Sequence, residues 1–270
     1  MSKQQAQTGS NFSSLFPYIA IPLALLTGVL LYVFVLGSPA NFEEGDPVKG
    51  HPLNVLGTIH KGGFIVPLLI TTNLIVFIFF FERLISLTKA RGKGNTEKFV
   101  RNIRSLIKNS QLDNAINECD KQKGSVAAVV KAGLLKYKAV EGDSNMDHES
   151  KVAAIKQELE EATSLELPML SKNNVILSTM ASLGVLVGLL GTVRGMITSF
   201  EAMAQAGAPD ATALSLGISE ALINTFLGIL ASAVAIICFN FFSTRIDNLT
   251  YAMDEAGFSI TQTFESKHAK

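Results

Sequence analysis

Residues 178–200 read STMASLGVLVGLLGTVRGMITSF and residues 213–242 read ALSLGISEALINTFLGILASAVAIICFNFF. Both runs exceed the roughly 20 apolar residues that a helix needs to cross about 30 Å of hydrocarbon. Each nevertheless carries polar groups: Thr192 and Arg194 in the first, Glu220, Asn224 and Thr225 in the second. Ionisable and polar groups are expensive inside a bilayer and mark an ion path or a partner contact. The pair points to an all-α, polytopic membrane protein engaged in transport or energy conversion.

Two further runs, 17–36 and 64–81, are just long enough to span. The composition agrees. Of 270 residues, 48% are hydrophobic and only 17% charged, against about 25% charged in an average soluble domain. Mean hydropathy is +0.32. The net charge of zero gives no general attraction to nucleic acid. The first run could be a secretory leader, but it is longer than the roughly 7–15 apolar residues of such a segment, which favours a retained helix.

Charge placement sets the expected topology. Sixteen of the 23 Lys and Arg residues fall in 83–172, while 37–63 holds only Lys49 and Lys61 and 201–212 holds none. Basic loops stay on the cytoplasmic side. The long loop and both termini are therefore expected inside, and the two poor connections outside.

The expected organisation follows. Residues 1–16 are polar and read as a disordered cytoplasmic N-terminus. The first span is 17–36, the periplasmic loop 37–63 and the second span 64–82. A cytoplasmic helical domain occupies 83–172. Then come the third span 173–200, a periplasmic link 201–212, the fourth span 213–243 and a C-terminal helix 244–270. Inside the cytoplasmic domain, Phe99, Val100, Ile103, Leu106 and Ile107 recur at helical spacing after an N-cap at Asn95 or Thr96. A second helix runs through Leu112, Ala115, Ile116 and Cys119, and a third starts after Gly124-Ser125. The run 151–167 is a strong helix former leading into the third span, with Pro168 as a candidate kink. Cys119 and Cys238 read as small buried apolar residues, and His51 and His60 as surface histidines of an irregular loop. No metal site, phosphate loop or Ser–His–Asp set is legible, so neither cofactor nor enzyme activity is expected.

Gly184, Gly188, Gly191 and Gly195 line one face of the third span. Gly217, Ala221, Thr225, Gly228 and Ser232 do the same in the fourth. Small residues at this spacing let helices approach closely in lipid. Thr192 lies next to the first face and Thr225 on the second. Glu220 and Asn224, four apart, share a face of their helix. Thr192, Thr225, Glu220 and Asn224 are the candidate pore-lining residues. A hydroxyl relays or hydrates a proton but does not store its charge, so a carboxylate must titrate, either Glu220 or a partner's. Arg194 pairs with a carboxylate or with an acidic group of a partner, or snorkels.

The runs GLLGTVRGMITSFEAMA (188–204) and GISEALINTFLGILASAVAIICFN (217–240) resemble the MotA/TolQ/ExbB proton-channel family, above all its ExbB branch. Upstream, LDNAINECDKQKGSVAAVVKAGL (112–134) and FFERLISL (80–87) extend the resemblance to roughly residues 64–245. It implies a homopentamer in the inner membrane of Gram-negative bacteria, enclosing an ExbD/TolR-type partner whose single span carries an aspartate. Proton flow is then converted into work by rotation of one subunit ring around the other. In the ExbB branch that work passes through a TonB-like protein to outer-membrane receptors importing scarce nutrients. By motif, Thr192 matches the Thr of Gly-Thr-Val, Thr225 the Thr after the Ala-Leu pair, and Glu220 the Glu of Glu-Ala-Leu. The chain departs from the pattern at Val185, where Pro is frequent, and at Arg194, where an aromatic or apolar residue is usual. The extra run 17–36 makes four spans in place of three. Sister branches serve the Tol–Pal system, flagellar stators and gliding motors, and a non-conducting scaffold is the remaining alternative.

Overall fold

The computed structural model describes residues 5–48, 50–205 and 211–268. Among them the chain forms α1 (Gln5–Leu30), α2 (Val55–His60), α3 (Val66–Arg91), α4 (Thr96–Lys108), α5 (Leu112–Gln122), α6 (Gly124–Glu141), α7 (His148–Ser171), α8 (Asn174–Gln205) and α9 (Ala211–His268). No strand forms among the described residues; one isolated bridge pairs Phe42 with Pro52. Four stretches are long and apolar enough to cross a membrane: Leu15–Leu36, and windows within Gly63–Lys108, His148–Glu201 and Leu214–Lys267. The chain divides into two compact units, Met1–Phe81 with Val175–Phe239, and Glu82–Asn174 with Asn240–Lys270.

The first unit holds the apolar helices. Phe16, Ala20, Ala24 and Gly28 step by four along α1, so they share one face. The two ends of that row meet α3: Phe16 packs edge-on to Phe79 at 5.7 Å, and Gly28 lies against Thr71 and the Pro67 carbonyl. The last turn of α1 widens to a π-helix at Leu31–Leu36. Asn41 closes it, its Nδ2 donating to the carbonyls of Val35 (2.7 Å) and Leu36 (3.0 Å) that the helix end leaves without partners. Asn54 donates in turn to Asn41 Oδ1 at 2.9 Å and caps α2 by accepting from Gly57 N. The His60 ring stacks on Tyr32 at 4.5 Å and meets Phe42 edge-on at 5.4 Å. The connection read from its prolines and glycines as irregular is thus ordered around one asparagine and one histidine. Leu36, Ile65, Val66, Leu69 and Leu227 form a buried cluster that ties α1, α3 and α9 together.

The second unit is a helical bundle of α4–α7 and the C-terminal part of α9. Its core draws Ile103 and Ile107 from α4, Val130, Leu134 and Tyr137 from α6, Ile155 from α7, and Ile260 and Phe264 from α9. Asn95 is the N-cap of α4, accepting from the backbone N–H of Glu97 and Lys98. Lys267 closes the other end of that helix by donating to Ile107 O (2.8 Å) and Ser110 Oγ (2.7 Å). Arg83 is 1% exposed and forks onto Glu82 with two 2.6 Å bonds, while a third donor reaches Leu170 O at 3.1 Å. Cys119 is buried, and burial pushes its thiol up to about 12. It is the inert core thiol its sequence context suggests.

The element bounds differ from expectation at four places. The stretch 1–16, read as disordered, is helix from Gln5 onward, where Gln5, Ala6 and Gln7 are good helix formers; residues 1–4 lie outside the described residues. The C-terminal helix expected at 244–270 is not separate. α9 is one 58-residue helix, since no proline interrupts it. The link 201–212 is shorter than expected, because α8 runs to Gln205 and α9 starts at Ala211, with 206–210 outside the described residues. Pro168 does not end α7. The break before α8 falls at Lys172–Asn173, just beyond it.

Candidate functional site

The site grows from the contact between α8 and α9. Gly184, Gly188 and Gly195 lie against the α9 backbone at Gly228, Asn224 and Gly217. A Cβ on Gly188 would stand 3.0 Å from Asn224 O and 3.1 Å from Gly228 Cα, so only glycine permits this spacing. The steps of three and four in both runs produce the seam that the spacing suggests.

Hydroxyl groups recur along that seam. Thr192 Oγ1 and Thr225 Oγ1 are hydrogen-bonded to each other across it. Thr192 Oγ1 also faces Gly188 O at 3.2 Å and Ala221 O at 3.4 Å, and Thr225 Oγ1 faces Ala221 O at 3.1 Å. Two hydroxyl protons thus share each other's oxygen and two carbonyls. One hydroxyl donates across the seam while the other donates to a carbonyl, and the pattern reverses by rotation of the two O–H bonds. Ser199 donates to Gly195 O at 2.9 Å about two turns from Thr192 along α8. Ser232 donates to Ala181 O about two turns from Thr225 along α9. These two serines extend the polar line beyond the threonines and carry the same helical spacing in the sequence.

The remaining expected residues lie close by but take different partners. Glu220 is 17% exposed at the side chain, and its Oε1 lies 3.9 Å from Arg194 Nε. Arg194, considered as a contact for a separate partner, is thus paired within its own chain. Its guanidinium also stacks over the Phe64 ring, with Cζ 3.7 Å from the centroid. Asn224 is fully buried. Its Nδ2 donates to Gly62 O at 2.8 Å, and its side chain fills the space beside Gly191. Asn73 of α3 adds a polar contact that the sequence pattern does not single out, donating to Leu69 O at 2.9 Å and reaching Leu227 O at 3.5 Å. Gly62, Gly63 and Phe64, at the entry to α3, are likewise absent from the expected set. Their signal in the sequence is the Gly-Gly pair directly ahead of a span.

Thr192, Thr225, Ser199 and Ser232 thus set four hydroxyls along the seam, and Glu220 with Arg194 sets charge beside it.

The model described as the MotA/TolQ/ExbB proton channel family matches residues 121–255, half of the 270-residue chain. The chain is similar to the putative biopolymer transport protein ExbB-like 3 of Synechocystis, 37% identical over 86 residues, or 31% of this chain and 41% of that protein. It is similar to the Tol-Pal system protein TolQ of Pseudomonas aeruginosa, 30% identical over 124 residues, covering 46% of this chain and 54% of the relative. It is similar to the biopolymer transport protein ExbB of Salmonella typhimurium, 34% identical over 77 residues, covering 28% and 32%. The chain spans about half or less of the length of these curated relatives. Thr192, Arg194, Glu220, Asn224 and Thr225 lie inside the family match, and α1 with the 37–63 connection lies outside it.

Proposed function

The chain belongs to the MotA/TolQ/ExbB proton channel family, and on that footing we propose that it is the ring-forming subunit of an inner-membrane motor driven by the proton-motive force. The observation that carries this reading is the half-buried hydroxyl pair of Thr192 and Thr225, bonded to each other across the glycine seam between α8 and α9. Such a pair relays a proton but stores no charge, so the path needs a carboxylate beside it. Glu220 has the Arg194 guanidinium beside it at 3.9 Å. In this reading the titrating acid is the aspartate of an ExbD/TolR-type single-span partner seated against the threonines. Five copies surround that partner. The apolar side chains that α8 and α9 leave exposed, among them Leu189, Leu190, Phe226 and Ile229, are covered by neighbouring subunits, partner or lipid. Both termini and the α4–α7 bundle face the cytoplasm, following the basic residues.

The energy scale fits. One proton crossing 100 mV releases about 2.3 kcal/mol, enough to bias modest steps between packed states. The work passes to a TonB-like protein that energises outer-membrane nutrient uptake. The likeness to TolQ over 124 residues supports the Tol–Pal envelope system as the second reading. The deciding experiment pairs the chain with its single-span partner in proteoliposomes and follows proton uptake under an imposed potential. Uptake that vanishes in the Thr192→Val/Thr225→Val double variant, with the complex still assembled, supports the motor. No uptake in the parent leaves a scaffold, and uptake unchanged in the variant places the proton path away from the two threonines. Loss of growth on siderophore iron in a deletion strain supports the TonB route, and detergent sensitivity with normal iron uptake the Tol route.

A further inference from the structure

Three consecutive residues at the entry to α3 each meet one polar side chain of α8 or α9. Gly62 O accepts from Asn224 Nδ2 at 2.8 Å. Gly63, at φ +78°, places its Cα against the Glu220 carboxylate, where a Cβ would stand 3.1 Å from Cδ and closer still to Oε1. Phe64 lays its ring under the Arg194 guanidinium at 3.7 Å. We propose that the 62–64 turn is the outer seal of the ion path, and that Asn224, Gly63 and Phe64 are positioning residues that hold Glu220 and Arg194 and keep water from the carboxylate. This rests on the reading of the Thr192–Thr225 seam as that path.

The burial of Asn224 argues for a tether. Its Oδ1 is buried with no hydrogen-bond partner. A buried amide must find partners for its polar atoms, and the bond from Nδ2 to Gly62 O is the one this side chain makes. Room for the side chain exists only because residue 191 is glycine; a Cβ there would collide with Asn224 Cβ and Cγ. Asn224 is thus accommodated by one glycine and bonded to another. Gly63 has two reasons to be glycine: a left-handed backbone and a carboxylate where a side chain would go. Arg194 is 47% exposed and its ion pair is long at 3.9 Å, so the face of Phe64 supplies the closer hold.

The turn is braced from its other side as well. Tyr32 OH donates to His60 O at 3.4 Å, and Lys61 Nζ donates to Val48 O at 2.8 Å. The bracing groups belong to α1 and the 37–63 connection, which lie outside the stretch matching the family. The additional span of this chain thereby holds the turn onto Glu220.

The test uses the full-length oligomer in lipid nanodiscs, as parent, Asn224→Ala and Phe64→Leu. A water-soluble carbodiimide with an amine nucleophile labels accessible carboxyl groups, and peptide mass spectrometry reads the rate at Glu220. Both variants should label Glu220 roughly tenfold faster than the parent, as expected when about 1.4 kcal/mol of protection is lost, with an unchanged elution volume. Rates within about twofold of the parent in both variants overturn the seal. Phe64→Leu keeps an apolar side chain at the position, so it decides the question even where Asn224→Ala does not assemble. Proton uptake by the parent with its partner is followed separately. Its absence defeats the ion-path reading, while the labelling rates still decide the seal.

Discussion

Thr192 on α8 and Thr225 on α9 present their hydroxyls to each other across a seam whose other close contacts are glycines, alanines, carbonyls and the side chains of Ser199 and Asn224. Under the proposed function, the arrangement lets stability and proton movement be tested separately. Each hydroxyl also faces a carbonyl one turn back in its own helix. Thr→Val preserves shape, and removing both partners of a hydrogen bond together is close to neutral for folding. Thr192→Val with Thr225→Val should leave the thermal midpoint of the oligomer within about 1 kcal/mol equivalent. Partner-dependent proton uptake should fall by roughly tenfold or more. Stopped-flow fluorescence of a pH dye inside proteoliposomes measures the rate, and differential scanning fluorimetry the stability.

Glycine substitutions along the seam should do the reverse. A Cβ on Gly228 would stand 2.8 Å from Gly188 Cα, and backbone offers no rotamer to move aside. Gly228→Val forces α8 and α9 apart. Overpacking of this kind costs about 1–3 kcal/mol or more. The expected outcome is loss of the assembled oligomer on size exclusion before any effect specific to proton movement. A variant that assembles normally with unaltered stability would show that the helices are not held as close as described.

Arg83 makes a separate prediction about the second unit. Its guanidinium is buried, bound to Glu82 and to Leu170 O. Breaking a fully buried pair by removing one partner costs about 3–5 kcal/mol, and the 16% exposure of Glu82 sets the loss below that range. Arg83→Met should therefore lower the unfolding midpoint strongly. Arg83→Met with Glu82→Gln should recover a large part of the loss. The double-mutant cycle checks this, and additive losses would mean that the two groups do not depend on each other.

What the sequence made legible was what depends on spacing. The steps of three and four at Gly184, Gly188, Gly191 and Gly195 place a seam on one helix face with no knowledge of the partner helix, and that seam forms. Apolar length and helical periodicity likewise located the spans and the bundle helices. The contacts of Arg194 were not legible in that way. Phe64 lies far away in the chain, and no local rule brings an aromatic ring from the entry of α3 under a guanidinium of α8. Asn224 shows the limit of the i, i+4 rule. It does lie on the Glu220 side of α9, but its amide is directed by the Gly62 carbonyl, a tertiary acceptor that helical spacing does not reveal. Hydropathy changes at the end of the apolar run of α9 and suggests a division there, whereas helix formation depends on backbone breakers, and proline is absent from Ala211–His268.

The last prediction concerns acid and the 37–63 connection. His60 is stacked on Tyr32 and against Phe42, with Lys61 next to it. Burial, and then the Lys61 charge, hold its imidazole below the usual histidine value of about 6.5. The sign follows from proton linkage. Above the unfolded value the ring is neutral in both states, and the full stability of the packed loop is present. As pH falls through that value, the unpacked loop takes up a proton that the packed ring resists, so stability is lost down to the folded value. Amide hydrogen exchange over 37–63 should therefore accelerate as pH falls below about 6.5, beyond the change in intrinsic rate. His60→Phe keeps the ring stack and removes the titration, so the excess acceleration should disappear. Lys61 constrains the outcome further: its own value is lowered, first by burial, with Asp46 opposing. Lys61→Met removes the neighbouring charge, lets the His60 value rise, and should narrow the acid-sensitive window from its lower side. An exchange profile in Lys61→Met identical to that of the parent at every pH would mean that burial alone sets the histidine.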